Sequence, residues 1–68
     1  MFRIYWWNGG TDRGDWRMVL REFASEEQAQ GIVSDIERMG YVTVVGHINV
    51  GAPEGPPSRD RLRQVGFL

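Results

Sequence analysis

Phe2-Arg3-Ile4-Tyr5-Trp6-Trp7 opens the chain and stops at Asn8-Gly9-Gly10. Aromatic and β-branched residues at this density favour a strand. The polar run from Asn8 to Asp15 ends it, because Asn, Asp and Gly tolerate positive φ or bond their own backbone. Trp16-Arg17-Met18-Val19-Leu20-Arg21-Glu22-Phe23 then resumes an extended pattern. The two stretches predict an antiparallel hairpin whose loop is longer than a two-residue turn.

Ser25-Glu26-Glu27-Gln28 is a capping-box pattern, so a helix starts here. Ala29, Ile32, Val33, Ile36 and Met39 keep the spacing of one apolar helical stripe, and Gly40 is a natural left-handed stop. Gly31 inside the helix costs about 1 kcal/mol relative to Ala, which suggests either a close neighbour or a helix of modest stability. Tyr41 to Ile48 is β-branched and aromatic, and predicts a third strand.

The order is therefore β-β-α-β. A right-handed crossover sets the third strand parallel to the second, on the far side of the first. The predicted fold class is α+β: a three-stranded antiparallel sheet in the order 2-1-3, with Phe2 to Trp7 in the middle and one helix packed on one face. Residues 49–57 form a Pro/Gly linker that cannot continue a ladder. Residues 58–65 could form a short helix capped by Ser58 and ended by Gly66, which orders only if it docks. We expect a single domain over residues 1–50, with 51–68 as linker and C-terminal arm.

The composition excludes several classes. With 68 residues the chain buries a small share of its surface, so its core must be efficient or completed by a partner. It contains no cysteine, which removes disulfides and thiolate metal sites and suits a reducing, cytoplasmic setting. No apolar run approaches the ~18 residues of a membrane span. Eight Arg and no Lys stand against nine acids, for a net charge of −1, which argues against a dedicated duplex-DNA binder. The acids concentrate in the helix, and both ends are slightly basic.

Alternation assigns Phe2, Ile4, Trp6, Met18, Leu20, Val42, Val44 and Ile48 to the core under the helix. Glu22 falls badly on that side, so the second strand is expected to end or bulge near Arg21. The opposite face would carry Arg3, Tyr5 and Trp7, then Arg17, Val19, Arg21 and Phe23, then Tyr41, Thr43, Val45 and His47. A solvated sheet face should be polar, and this one is apolar and aromatic with interleaved Arg, so it needs a cover.

Three covers are open. The C-terminal arm, through Leu62, Val65, Phe67 and Leu68, could fold back over the sheet. A second copy or a larger protein could meet the face or the arm, including Arg59 and Arg61; Tyr, Trp and Arg are the side chains enriched at interface hot spots. Unpaired bases could stack on the aromatics, as on single-strand RNA and DNA platforms.

Enzyme chemistry is poorly provisioned. His47 is the single histidine, and no serine lies in a nucleophile-elbow context. Asn8, Thr11, Asp12 and Asp15 lack the spacing of a calcium loop and read as a solvated turn. Gly9-Gly10 precedes a strand, where a phosphate cradle needs a helix. Arg13-Gly14-Asp15 matches an adhesion tripeptide that chance explains better.

The expectation is a small cytoplasmic, non-enzymatic interaction module that pairs with itself as a homodimer or binds a larger protein. No cofactor, metal, membrane or small-molecule substrate is indicated. Its size suits a stand-alone protein encoded by a phage or mobile element that occludes a larger host protein. The alternative is a single-stranded nucleic-acid binder using the same face. On this reading Trp6→Ala should empty a core site, and Trp7→Ala should chiefly weaken association.

Overall fold

A computed structural model describes residues 1–10 and 15–66. Strand β1 (Phe2–Trp7) is followed by β2 (Trp16–Phe23), helix α1 (Glu26–Arg38), β3 (Val42–His47) and helix α2 (Arg59–Gln64). The sheet is antiparallel in the order β2-β1-β3, so the opening hexapeptide is the central strand.

Local chemistry accounts for the ends of α1. The Ser25 hydroxyl accepts from the backbone N–H of Gln28 at 3.2 Å, and the Gln28 side chain accepts from the N–H of Ala24 at 3.1 Å. The first bond satisfies a donor that the helix start leaves orphaned, and the second ties the residue before the cap back to the first turn. At the other end Gly40 takes φ +96°, and the N–H groups of Gly40 and Tyr41 return to the carbonyls of Glu37 and Ile36. That is a Schellman closure, which needs a residue without a Cβ penalty at the left-handed position. Met39 falls beyond the last turn and is exposed, so the apolar stripe ends at Ile36. A Cβ at Gly31 would meet nothing within 4 Å, so no close neighbour explains this glycine.

The sheet is a middle layer between two apolar clusters. Under α1 lie Ile4, Phe23, Ala29, Val33 and Ile36, with Phe2, Trp6, Val19, Ile32 and Val45 packed against them. On the opposite face Tyr5, Trp7, Trp16 and Val42 are covered by Leu62 of α2, with Ala52 and Val65 alongside.

The central strand faces as its alternation predicts, but both outer strands are turned over. Trp7 pairs with Trp16 and Trp6 with Arg17, while Trp7 also pairs with Val42 and Trp6 with Thr43. Even-numbered residues of β1 therefore stand beside odd-numbered residues of its neighbours. Arg17, Val19, Arg21, Phe23, Thr43, Val45 and His47 move to the helix side, and Met18, Leu20, Val42, Val44 and Ile48 leave it. The segment between paired Trp7 and Trp16 holds an even number of residues, 8 through 15, and a change of one residue in register turns every side chain over.

The irregularity expected near Arg21 is present for a different reason. The register of β2 slips between Arg3 and Tyr5, so that Val19, Leu20 and Arg21 together oppose Ile4. Glu22 is not misplaced in a core: it lies opposite Arg3, and their side chains form an ion pair at 2.9 Å.

Candidate interaction surface

The C-terminal arm covers the second face over Tyr5, Trp7, Trp16 and Val42 and leaves Met18 and Val44 on that face exposed. Ser58 caps α2 by accepting from the N–H of Arg61 at 3.2 Å, which orients Leu62 inward. The Trp16 indole N–H donates to the carbonyl of Gly55 at 2.8 Å and ties the linker to β2. Arg61 reaches past the edge of β3: its guanidinium donates to the Glu37 carboxylate on α1 and to the Thr43 carbonyl at 3.3 Å. The Thr43 hydroxyl donates to the same Glu37 oxygen at 2.8 Å. The arm is held by an apolar side chain on one face of the sheet and an ion pair around its rim.

The expected binding residues are consequently dispersed. Tyr5 and Trp7 are each 6% exposed, beneath the arm. Val19 and Phe23 belong to the core under α1, a correction that follows from the even loop. Tyr41 and His47 also lie on the helix side, with Tyr41 against Trp6 at 4.9 Å between ring centroids and His47 edge-on to Phe2 at 5.5 Å. Arg17 is exposed opposite Trp6, and Arg21 is exposed over the ring of Phe23 at 5.0 Å. Arg3 stays on the second face, where it donates to Met18 Sδ at 3.1 Å as well as to Glu22. In the arm, Arg59 is exposed, Leu62 is buried and Val65 is half-buried. Phe67 and Leu68 lie outside the described residues, as do Thr11 to Gly14 and with them most of the tripeptide.

What the structure does bring together is the bulged strand β2. Leu20 is 89% exposed at the middle of the bulge, and Met18, two residues earlier on the same side, is 41% exposed. Arg17 and Arg21 neighbour them along the strand and turn to the helix side, opposite Trp6 and over the Phe23 ring. Sequence reasoning placed both apolar side chains in the core, because alternation alone cannot separate two apolar faces. Loop parity becomes a signal only once Trp7 is seen to pair with Trp16.

No group of three His, Cys, Asp or Glu that could hold a metal ion is found among the described residues. No described helix is long and apolar enough to cross a membrane. Compared with protein-family models, with curated proteins and with solved structures, the chain matches none.

Proposed function

We propose that this chain is a non-enzymatic interaction module that binds a larger protein through the bulged edge of β2. Leu20 is the inserted side chain, Met18 broadens the apolar contact on the arm side, and Arg17 and Arg21 border the same edge strand from its helix side. The observation that carries this reading is the exposure of Leu20 at 89% on a bulge that holds it away from both cores. Burying such a side chain is worth about 1.5 to 3 kcal/mol, and this fold leaves that unused. β-bulges re-aim side chains and interrupt pairing, so the same feature presents Leu20 and keeps the strand edge from aggregating. Methionine beside it adapts to an irregular partner surface, and arginine supplies planar, bidentate contacts. Binding in this way would occlude the site on the partner that takes Leu20.

The base-stacking alternative needs bare rings at Tyr5 and Trp7. With the arm docked, neither ring is offered.

The test is site-specific photo-crosslinking in the cells of origin, with the reactive group at position 20 and, as control, at Gln30 on the exposed side of α1. A discrete heavier adduct at 20 and not at 30 is expected, and it should disappear when Arg17 and Arg21 are changed to Glu. Equal, diffuse labelling at both positions would defeat the proposal.

A further inference from the structure

The two outer edges of the sheet are protected unequally. The β2 edge is bulged and carries Arg17, Arg21 and Glu22, devices that discourage strand pairing. β3 runs in unbroken register with β1 from Val42 to His47 and contains no Pro, Lys, Arg, Asp or Glu.

The direction of its backbone groups follows from one bond. Ile48 N–H donates to the Met1 carbonyl at 3.2 Å, which places the even-numbered backbone groups of this segment toward β1. In an antiparallel ladder the odd-numbered Thr43, Val45 and His47 then turn theirs outward. The Thr43 carbonyl is occupied by Arg61 at 3.3 Å, and the His47 carbonyl accepts from Val50 at 3.0 Å. The N–H and C=O of Val45 and the N–H of His47 have no backbone partner among the described residues.

We propose that β3 pairs antiparallel with β3 of a second copy, about a two-fold axis at Gly46, giving one continuous sheet across a homodimer. Arg61 biases the register by its bulk: its guanidinium stands at the edge beside the Thr43 carbonyl, where an axis at Val44 would bring Val45 of the second copy, whereas an axis at Gly46 pairs Val45 with His47 and keeps Arg61 at the margin. With the axis at Gly46, Val45 N–H donates to the His47 carbonyl of the second copy, and His47 N–H returns to its Val45 carbonyl. The two-fold repeats both bonds. A carbonyl has two lone pairs, so His47 accepts from the second copy while keeping its Val50 bond. Val44, exposed in the single chain, comes opposite Ile48 of the second copy.

A second copy is favoured over a foreign strand because the open donors and acceptors are complementary to themselves under the two-fold. No carboxylate, Lys or Arg of either β3 opposes a like charge. This surface lies at the opposite edge of the sheet from Leu20, so the dimer leaves both β2 edges free for a partner protein.

Gly46 supplies the decisive probe. At the axis it forms a non-hydrogen-bonded pair, whose Cα atoms lie about 4.5 Å apart, within the roughly 4.4 to 6.8 Å that a disulfide spans. A Cβ added at Gly46 meets nothing within 4 Å, so Gly46→Cys fits the single chain, which has no cysteine of its own.

The experiment is sedimentation equilibrium of the full chain, with oxidation of Gly46→Cys and Leu20→Cys variants in parallel. The wild type is expected to rise from the mass of one chain to that of two with concentration. Gly46→Cys should oxidise to a covalent dimer faster than Leu20→Cys. Val45→Pro removes an N–H that faces away from β1, as edge prolines do, and should hold the mass at one chain with an unchanged circular dichroism spectrum. Should that variant unfold, Val44→Lys serves the same purpose. A wild type that stays at one chain at millimolar concentration overturns the proposal. So does a dimer that survives these substitutions, cross-links equally at 20 and 46, or is abolished by Leu20→Asp. None of these results bears on cross-linking of a larger protein at position 20.

Discussion

The indole N–H of Trp16 donates to the carbonyl of Gly55 at 2.8 Å, joining the first residue of β2 to the Pro/Gly linker. Residues 39 positions apart are thereby fixed, and the linker is led over the face that holds Tyr5 and Trp7. Without that bond and the Leu62 contact, a segment of this composition would behave as a spacer.

Replacing Trp16 separates the two parts of its role. Trp16→Phe keeps a ring in the second cluster and loses the donor, and should cost about 1 kcal/mol. Trp16→Ala empties the site and should cost about 3 to 5 kcal/mol. Urea denaturation would measure both, and equal costs would show that the hydrogen bond, not the ring, holds the linker.

Trp7 and Trp6 differ in the direction opposite to the sequence expectation. Trp7 is buried under the arm, whereas Trp6 is half-buried beside Tyr41 past the end of α1. Trp7→Ala should therefore cost about 3 to 5 kcal/mol, and Trp6→Ala less. The reverse ranking in thermal or chemical denaturation would mean that the arm does not stay docked in solution.

Arg61 and Glu37 close the arm around the edge of β3, and both side chains are partly exposed. A double-mutant cycle with Arg61→Met and Glu37→Gln should return a coupling of roughly 1 kcal/mol or less, given solvent screening of the pair. The amide oxygen that replaces the carboxylate in Glu37→Gln can still accept from the Thr43 hydroxyl, so the cycle isolates the charge. The coupling should shrink when stability is measured in about 1 M salt, where the Debye length is near 3 Å. A salt-independent coupling would assign the latch to packing of the Arg61 stem.

Gly31→Ala should stabilise the protein by about 1 kcal/mol, because Ala is the better helix former and open space surrounds the site. Calorimetry would show a raised Tm. A lowered Tm would reveal an occupant of the solvent face of α1.

Much of the fold could be read from local chemistry. Ser25, Gln28 and Gly40 mark the ends of α1, and Ser58 and Gly66 bracket α2, because caps and left-handed stops act over a single turn of chain. The strand order followed from crossover handedness, and the inward face of β1 from its own alternation. The candidate surface was less legible. Arg17 and Arg21 were expected beside Tyr5 and Trp7 and instead turn to the helix side, Leu20 and Met18 were placed in a core, and Tyr5 and Trp7 were placed on a free face.

The sequence by itself thus determined which segments are strands and helices, where each ends, and that both faces of the sheet would be apolar. Only the tertiary structure decided which outer-strand residues share a face with Ile4, where β2 bulges, and that Leu62 covers Trp7. The reason is physical. Capping and propensity are set by neighbours along the chain, whereas facing depends on register across strands. With apolar residues on both sides of the sheet, hydrophobicity discriminates weakly between the two facings. The even loop, the Arg3–Glu22 pair and the docking of the arm settle it together.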